Sequence, residues 1–105
     1  MGEMYTTGAW TPKAGEEEQF IAAWTEFADW ANGMPGAGRL RLARDREDPS
    51  RFVSFGRWES SEAAHAWKAS PDFRERMSHV QRHVAEFKPA ELEVVATVGD
   101  GPTGT

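Results

Sequence analysis

The stretch RFVSFGRWESSEAAHAWKASPDFRERMSHVQRHV, residues 51–84, decides the fold. It opens as a strand, because Phe52, Val53, Phe55 and Trp58 are the aromatic and β-branched types that suit a pleated, half-buried surface. Glu59-Ser60-Ser61-Glu62 then ends the strand and starts a helix, with Ser60 as N-cap and acidic neighbours at the positive helix end. That helix is short and alanine-rich, and Trp67 is its one large apolar residue. Ser70-Pro71-Asp72 is expected to restart the chain as a second helix, with Ser70 as cap and Pro71 at the first helical position. Phe73, Met77, Val80 and Val84 then fall at i, i+4, i+7 and i+11, one apolar stripe. One strand therefore feeds two consecutive helices, and any pocket is expected near the tryptophan that precedes the break.

Working outward, Met4 to Trp10 reads as a first strand, broken by Thr11-Pro12-Lys13-Ala14-Gly15. Glu16-Glu17-Glu18 opens a long helix whose stripe is Phe20, Ala23, Trp24, Phe27 and Ala31, and Asn32-Gly33 stops it. Arg39 to Asp45 alternates as a second strand, with Leu40 and Leu42 on one face. Glu47-Asp48-Pro49-Ser50 is a hairpin-length link to the strand of residues 52–58. In that strand Phe52, Ser54, Gly56 and Trp58 share one face and Val53, Phe55 and Arg57 the other. Both faces carry bulk, so the helices are expected to cover one and a second subunit the other. Phe87-Lys88-Pro89 is read as the end of the helical pattern and Glu91 to Thr97 as a fourth strand. The order β-α-β-β-α-α-β predicts an α+β, ferredoxin-like fold, a four-stranded antiparallel sheet with helices on one face. Residues 1–98 form the expected domain, and the Gly-, Pro- and Thr-rich residues 99–105 a flexible tail.

A chain of 105 residues makes one domain with a modest core, so dimerisation would help its stability. Six Phe, five Trp and one Tyr can fill a core, line a pocket or build a subunit interface. A net charge of −5 argues against nucleic acid and anionic membrane surfaces as partners. No cysteine is present, which excludes a disulfide framework, a thiolate nucleophile and Cys-based metal sites. No apolar run is long enough to span a bilayer, and a cytoplasmic location is the default expectation.

Among the residues that can carry chemistry, Trp67 is either a core residue seating the short helix or a pocket wall whose indole N–H donates to a ligand. The flanking Ala63, Ala64 and Ala66 leave space around it. Glu75, His79 and His83 are spaced four apart, as metal ligands on one helix can be. One helix alone rarely closes such a site, so this face reads as solvated or interfacial and no metal is expected. His65, beside the pocket helix, is the candidate proton acceptor by position, and its bland reading is a surface residue. Arg41 and Arg57 either pair with Glu91 or Glu93 across the sheet or hold an anionic ligand.

The runs FVSFGRWES at 52–60, AW at 66–67 and SPDFRERM at 70–77 resemble the antibiotic biosynthesis monooxygenase family. The resemblance covers about the first 98 residues. It implies a homodimer of the dimeric α/β-barrel type, with sheets packed face to face and a cavity between sheet and helices in each subunit. The chemistry it implies is cofactor-free oxygenation of a small aromatic or quinol substrate, whose anion itself reduces oxygen. On that reading Trp67 and His65 are catalytic, Trp24, Phe27, Phe73 and Met77 line the pocket, and Tyr5 and Thr7 form its strand floor. The chain departs from the family at two positions. Those oxygenases place an asparagine where this chain has Ala63, and a tyrosine where it has Phe73. This supports an alternative, a non-catalytic small-ligand-binding dimer of the same fold. Haem-degrading members place an axial histidine where this chain has Met77, which argues against haem chemistry.

Overall fold

The computed structural model describes residues 3–99. The elements are β1 (Met4–Pro12), α1 (Glu17–Asn32), β2 (Ala37–Arg44), β3 (Phe52–Trp58), α2 (Ser61–Lys68), α3 (Phe73–Gln81) and β4 (Val84–Glu93). They form a ferredoxin-like α+β fold with one antiparallel four-stranded sheet in the order β2-β3-β1-β4. No helix among the described residues is long and apolar enough to cross a membrane.

Strand parity sets the core. Phe52, Ser54, Gly56 and Trp58 of β3 are buried on the helix-facing side, as are Met4, Gly8, Trp10 and Pro12 of β1. Phe20, Trp24, Phe27, Ala28 and Ala31 of α1 close over them. Rings fill the centre: Phe20 meets Phe52 edge-on at 5.2 Å between centroids, and Trp10 stacks on Phe87 at 4.0 Å. Trp10 Nε1 donates to Ser54 Oγ at 2.9 Å across the β1–β3 pair, which satisfies a donor that burial would otherwise penalise. At the β2–β3 link, Asp45 Oδ1 accepts from the backbone N–H groups of Glu47 and Asp48, a turn that these bonds hold. The same two bonds are the chief cause of the lowered pKa of the Asp45 carboxyl.

Three sequence expectations are corrected. The third helix starts at Phe73, with Asp72 and not Ser70 at its N-cap, because the Ser70 carbonyl accepts from the Phe73 N–H in a separate turn. It ends at Gln81, so Val84 leaves the helical stripe. The fourth strand is Val84–Glu93 and not Glu91 to Thr97. Phe87, Lys88 and Pro89 lie inside it and pair with Trp10, Ala9 and Gly8. Pro89 is tolerated there because β4 is an edge strand, with one side free of ladder bonds. The order of the sheet also separates Arg41 and Arg57 from β4. Arg57 Nε instead pairs with Glu3 Oε2 at 2.6 Å, and that carboxylate raises the arginine's pKa. Of the expected flexible tail, residues 100–105 lie outside the described residues.

The Trp10–Ser54 bond gives a stability prediction. Ser54→Ala leaves a buried indole N–H without an acceptor, and the expected loss is about 1–3 kcal/mol. It is read as a lower urea midpoint at unchanged slope. An unchanged midpoint would show that the bond carries no stability.

Candidate functional site

A cavity of about 290 Å³ lies between the helix-facing side of the sheet and the three helices. Its floor is made by Thr6 and Trp10 of β1 and by Ser54 and Gly56 of β3, where strand parity points side chains toward the helices. Beside the floor, the missing side chain of Gly8 lets the Phe87 and Trp10 rings pack down onto β1. A Cβ at Gly8 would stand 2.8 Å from the Phe87 ring and 2.9 Å from Trp10 Nε1. The helices supply the walls: Trp24 and Phe27 from α1, Trp67 and Lys68 from α2, Phe73 and Met77 from α3. Phe87 and Pro89 close the β4 side.

Trp67 is 5% exposed and held on two sides. Its ring stacks on Trp58 at 4.8 Å and 24°, and Phe73 meets it edge-on at 5.0 Å and 90°. Trp58 in turn donates from Nε1 to Thr6 Oγ1 at 3.2 Å. The local sequence explains the placement. Ser60 caps α2 by accepting from the Ala63 N–H at 3.1 Å, which starts the helix directly after β3 and delivers Trp67 two turns later. Trp67 Nε1 is fully buried and has no hydrogen-bond partner among the described residues. Such an orphaned donor costs about 1–3 kcal/mol, and a site that retains one calls for an explanation.

Of the residues expected at the site, Trp24, Phe27, Trp67, Phe73, Met77 and Thr7 meet at this cavity. Thr7 and Tyr5 nevertheless belong to the other parity of β1. Thr7 Oγ1 lies 3.5 Å from the Ala90 carbonyl on exposed surface, and Tyr5 does not line the cavity. The floor threonine is Thr6. Alternation counted from Trp10 would have found it, since Thr6, Gly8 and Trp10 are two apart. His65 stands outside the cavity, with its side chain 64% exposed and Nε2 3.4 Å from Glu91 Oε1. His83 falls beyond the end of α3, so it does not share that helix with His79. Its Nδ1 lies 3.0 Å from Glu16 Oε1 at the start of α1. Trp10, Ser54, Gly56, Lys68 and Phe87 reach the cavity without having been singled out in the sequence. For Phe87 the signal was absent, because it depends on β4 pairing.

At the cavity edge Lys68 Nζ donates to Glu91 Oε2 at 2.7 Å, tying the end of α2 to β4. The Lys68 ammonium is the main cause of a lowered pKa at Glu91, with His65 contributing less. A carboxylate lowered in the folded state stabilises the fold above its unfolded pKa, and that stabilisation is lost as pH falls through the folded value. Glu91→Gln is therefore expected to be less stable than the parent at neutral pH and equal to it well below the ordinary glutamate range. Urea midpoints taken across pH check this. A constant gap at all pH would remove the charge pair as its cause.

Residues 4–89 match the model of the antibiotic biosynthesis monooxygenase family. No curated protein matches the chain. Among solved structures, SnoaB, a cofactor-independent oxygenase from Streptomyces nogalater, is 18% identical with a TM-score of 0.86, covering 95% of this chain and 100% of that one. Two further proteins carry a provisional assignment to antibiotic biosynthesis monooxygenase. The one from Bordetella bronchiseptica is 21% identical with a TM-score of 0.80, covering 91% of this chain and 100% of that one. The one from Nitrosomonas europaea is 22% identical with a TM-score of 0.79, covering 94% and 97%. At these identities the likeness establishes the fold.

Proposed function

The chain belongs to the antibiotic biosynthesis monooxygenase family, and from that premise we propose that it is a cofactor-independent monooxygenase of a small aromatic or quinol substrate. The observation that carries this reading is the apolar cavity between sheet and helices, one wall of which holds Trp67 with its buried, unpartnered indole N–H. A cavity walled by aromatic rings and Met77 favours a flat apolar ligand, with few polar groups to orient it. The substrate supplies the electrons. With one molecule of oxygen, a ring carbon gains the new carbonyl oxygen, and the second oxygen atom leaves as water with the ring hydrogen and the hydroxyl hydrogen. In this scheme the protein excludes water, holds the ring against Phe27, Phe73 and Met77, and offers the Trp67 N–H to the oxygen that gains charge.

Oxygen uptake on mixing with a panel of hydroxynaphthoquinols tests the reading. Trp67→Phe is expected to lower turnover about 10- to 100-fold, as loss of one donor to developing charge does. Its thermal unfolding should remain cooperative. Unchanged turnover would remove Trp67 from the mechanism. Ligand binding without any oxygen uptake by the parent would favour the second reading, a non-catalytic binding protein. Ala63 and Phe73 support that reading, because they are apolar where family oxygenases carry asparagine and tyrosine.

The same reading includes a homodimer formed through the outer face of the sheet. Val53 lies there between Ala9 of β1 and Ala43 of β2, and Leu92, 53% exposed, lies beside Tyr5. Sedimentation equilibrium is expected to give twice the 11.7 kDa chain mass. Val53→Arg is expected to shift the species to the single-chain mass by placing a charge in that face. A parent that sediments as a monomer at micromolar concentration would count against the dimer.

A further inference from the structure

Among the described residues, those that line the cavity comprise no aspartate, no glutamate and no histidine. Of its three hydroxyls, Thr7 Oγ1 donates to the Ala90 carbonyl, and two accept hydrogen bonds from indoles, Thr6 Oγ1 from Trp58 and Ser54 Oγ from Trp10. The remaining O–H hydrogens of these two make them donors toward a ligand. The amide of Gln81 takes no proton at neutral pH, and His65, the proton acceptor expected from sequence, is on the outer surface. Among the described residues, the one charged side chain on the cavity wall is Lys68. Its ammonium has three donors, and one goes to Glu91 Oε2. The other oxygen of Glu91 lies 3.4 Å from His65 Nε2, so side chains engage both carboxylate oxygens, and Glu91 itself does not line the cavity. The cavity is therefore rich in donors, poor in acceptors, and carries one cation at its edge.

We propose that the cavity takes its aromatic ligand as a preformed anion, an acidic enol or phenol already ionised at neutral pH, with the anionic oxygen on the ammonium of Lys68. This rests on the monooxygenase reading and narrows its substrate class. A neutral phenol of ordinary acidity would have to lose its proton inside a wall with no group to receive it. An acidic hydroxyquinone or 1,3-dicarbonyl enol arrives without that proton, so the second oxygen atom of O2 leaves with the ring hydrogen as hydroxide, which takes its proton from solvent. A charge-assisted bond to Lys68, in a site whose other walls are apolar, then selects it over an uncharged ring of the same shape. Lys68 is thus a residue that determines specificity, while the aromatic walls recognise any flat ring.

The test is calorimetric titration at neutral pH with 2-hydroxy-1,4-naphthoquinone, which is ionised there, and 2-methoxy-1,4-naphthoquinone, which cannot ionise. The parent is expected to bind the hydroxy compound about tenfold or more tightly than the methoxy compound. Lys68→Met keeps the apolar stem and removes the charge, and it should lose the preference for the hydroxy compound over the methoxy compound. Lys68→Arg should keep the preference and so exclude misfolding as the cause. A preference that persists in Lys68→Met overturns the role of Lys68. Equal binding of both compounds by the parent overturns anion selection and leaves the cavity's affinity for aromatic rings intact. A parent that binds neither compound overturns the proposal together with the aromatic-substrate reading beneath it.

Discussion

The stack of Trp67 on Trp58 is the joint on which the site depends. Trp58 ends β3, is fully buried, and is fixed to β1 by its bond to Thr6. Trp67 lies on it at 4.8 Å and so brings α2 down onto the sheet at one angle. Phe73 then packs perpendicular to Trp67, which ties the start of α3 to the same joint. Three elements are positioned by two indoles and a phenyl ring. A face-to-edge aromatic cluster of this kind gains directional attraction beyond its burial, about 0.5–1.5 kcal/mol per pair.

That joint also limits what Trp67 can do. One face of its ring is taken by Trp58, and Phe73 packs perpendicular to it. What remains for chemistry is the indole N–H, buried and unpartnered. The cavity exists next to this cluster because the floor positions opposite α2 and α3 are small. Gly56 has no side chain, and Ser54 and Thr6 have short ones already engaged by tryptophans.

The charge arrangement follows the same geometry. Lys68 is the last residue of α2 and Glu91 lies on the helix-facing parity of β4, so their pair spans the gap between helix and edge strand. Because the side chain of Glu91 is 38% exposed, solvent screens the pair, and its contribution to stability is small. Its position matters more than its strength. It holds an ammonium at the border of a cavity whose other lining groups are uncharged.

Local pattern in the sequence was enough to determine the element order, the core stripe of α1, the two faces of β3, the Ser60 cap and the nearness of Trp67 to a pocket. Each of these rests on a period of 3.6 or 2, or on a capping residue within four positions, and such signals need no distant partner. Tertiary structure decided the rest. Residues 84–90 carry glutamate, lysine and proline in a pattern that favours no strand, and they become one only because the free edge of β1 offers a ladder from Met4 to Pro12. That pairing brings in Phe87 and Glu91, and through Glu91 it sets the place of Lys68. The choice of Thr6 over Thr7 for the floor, and the exile of His65 to the surface, depend on register and helix rotation. Both are set by packing between segments far apart in the chain, which local propensity does not encode.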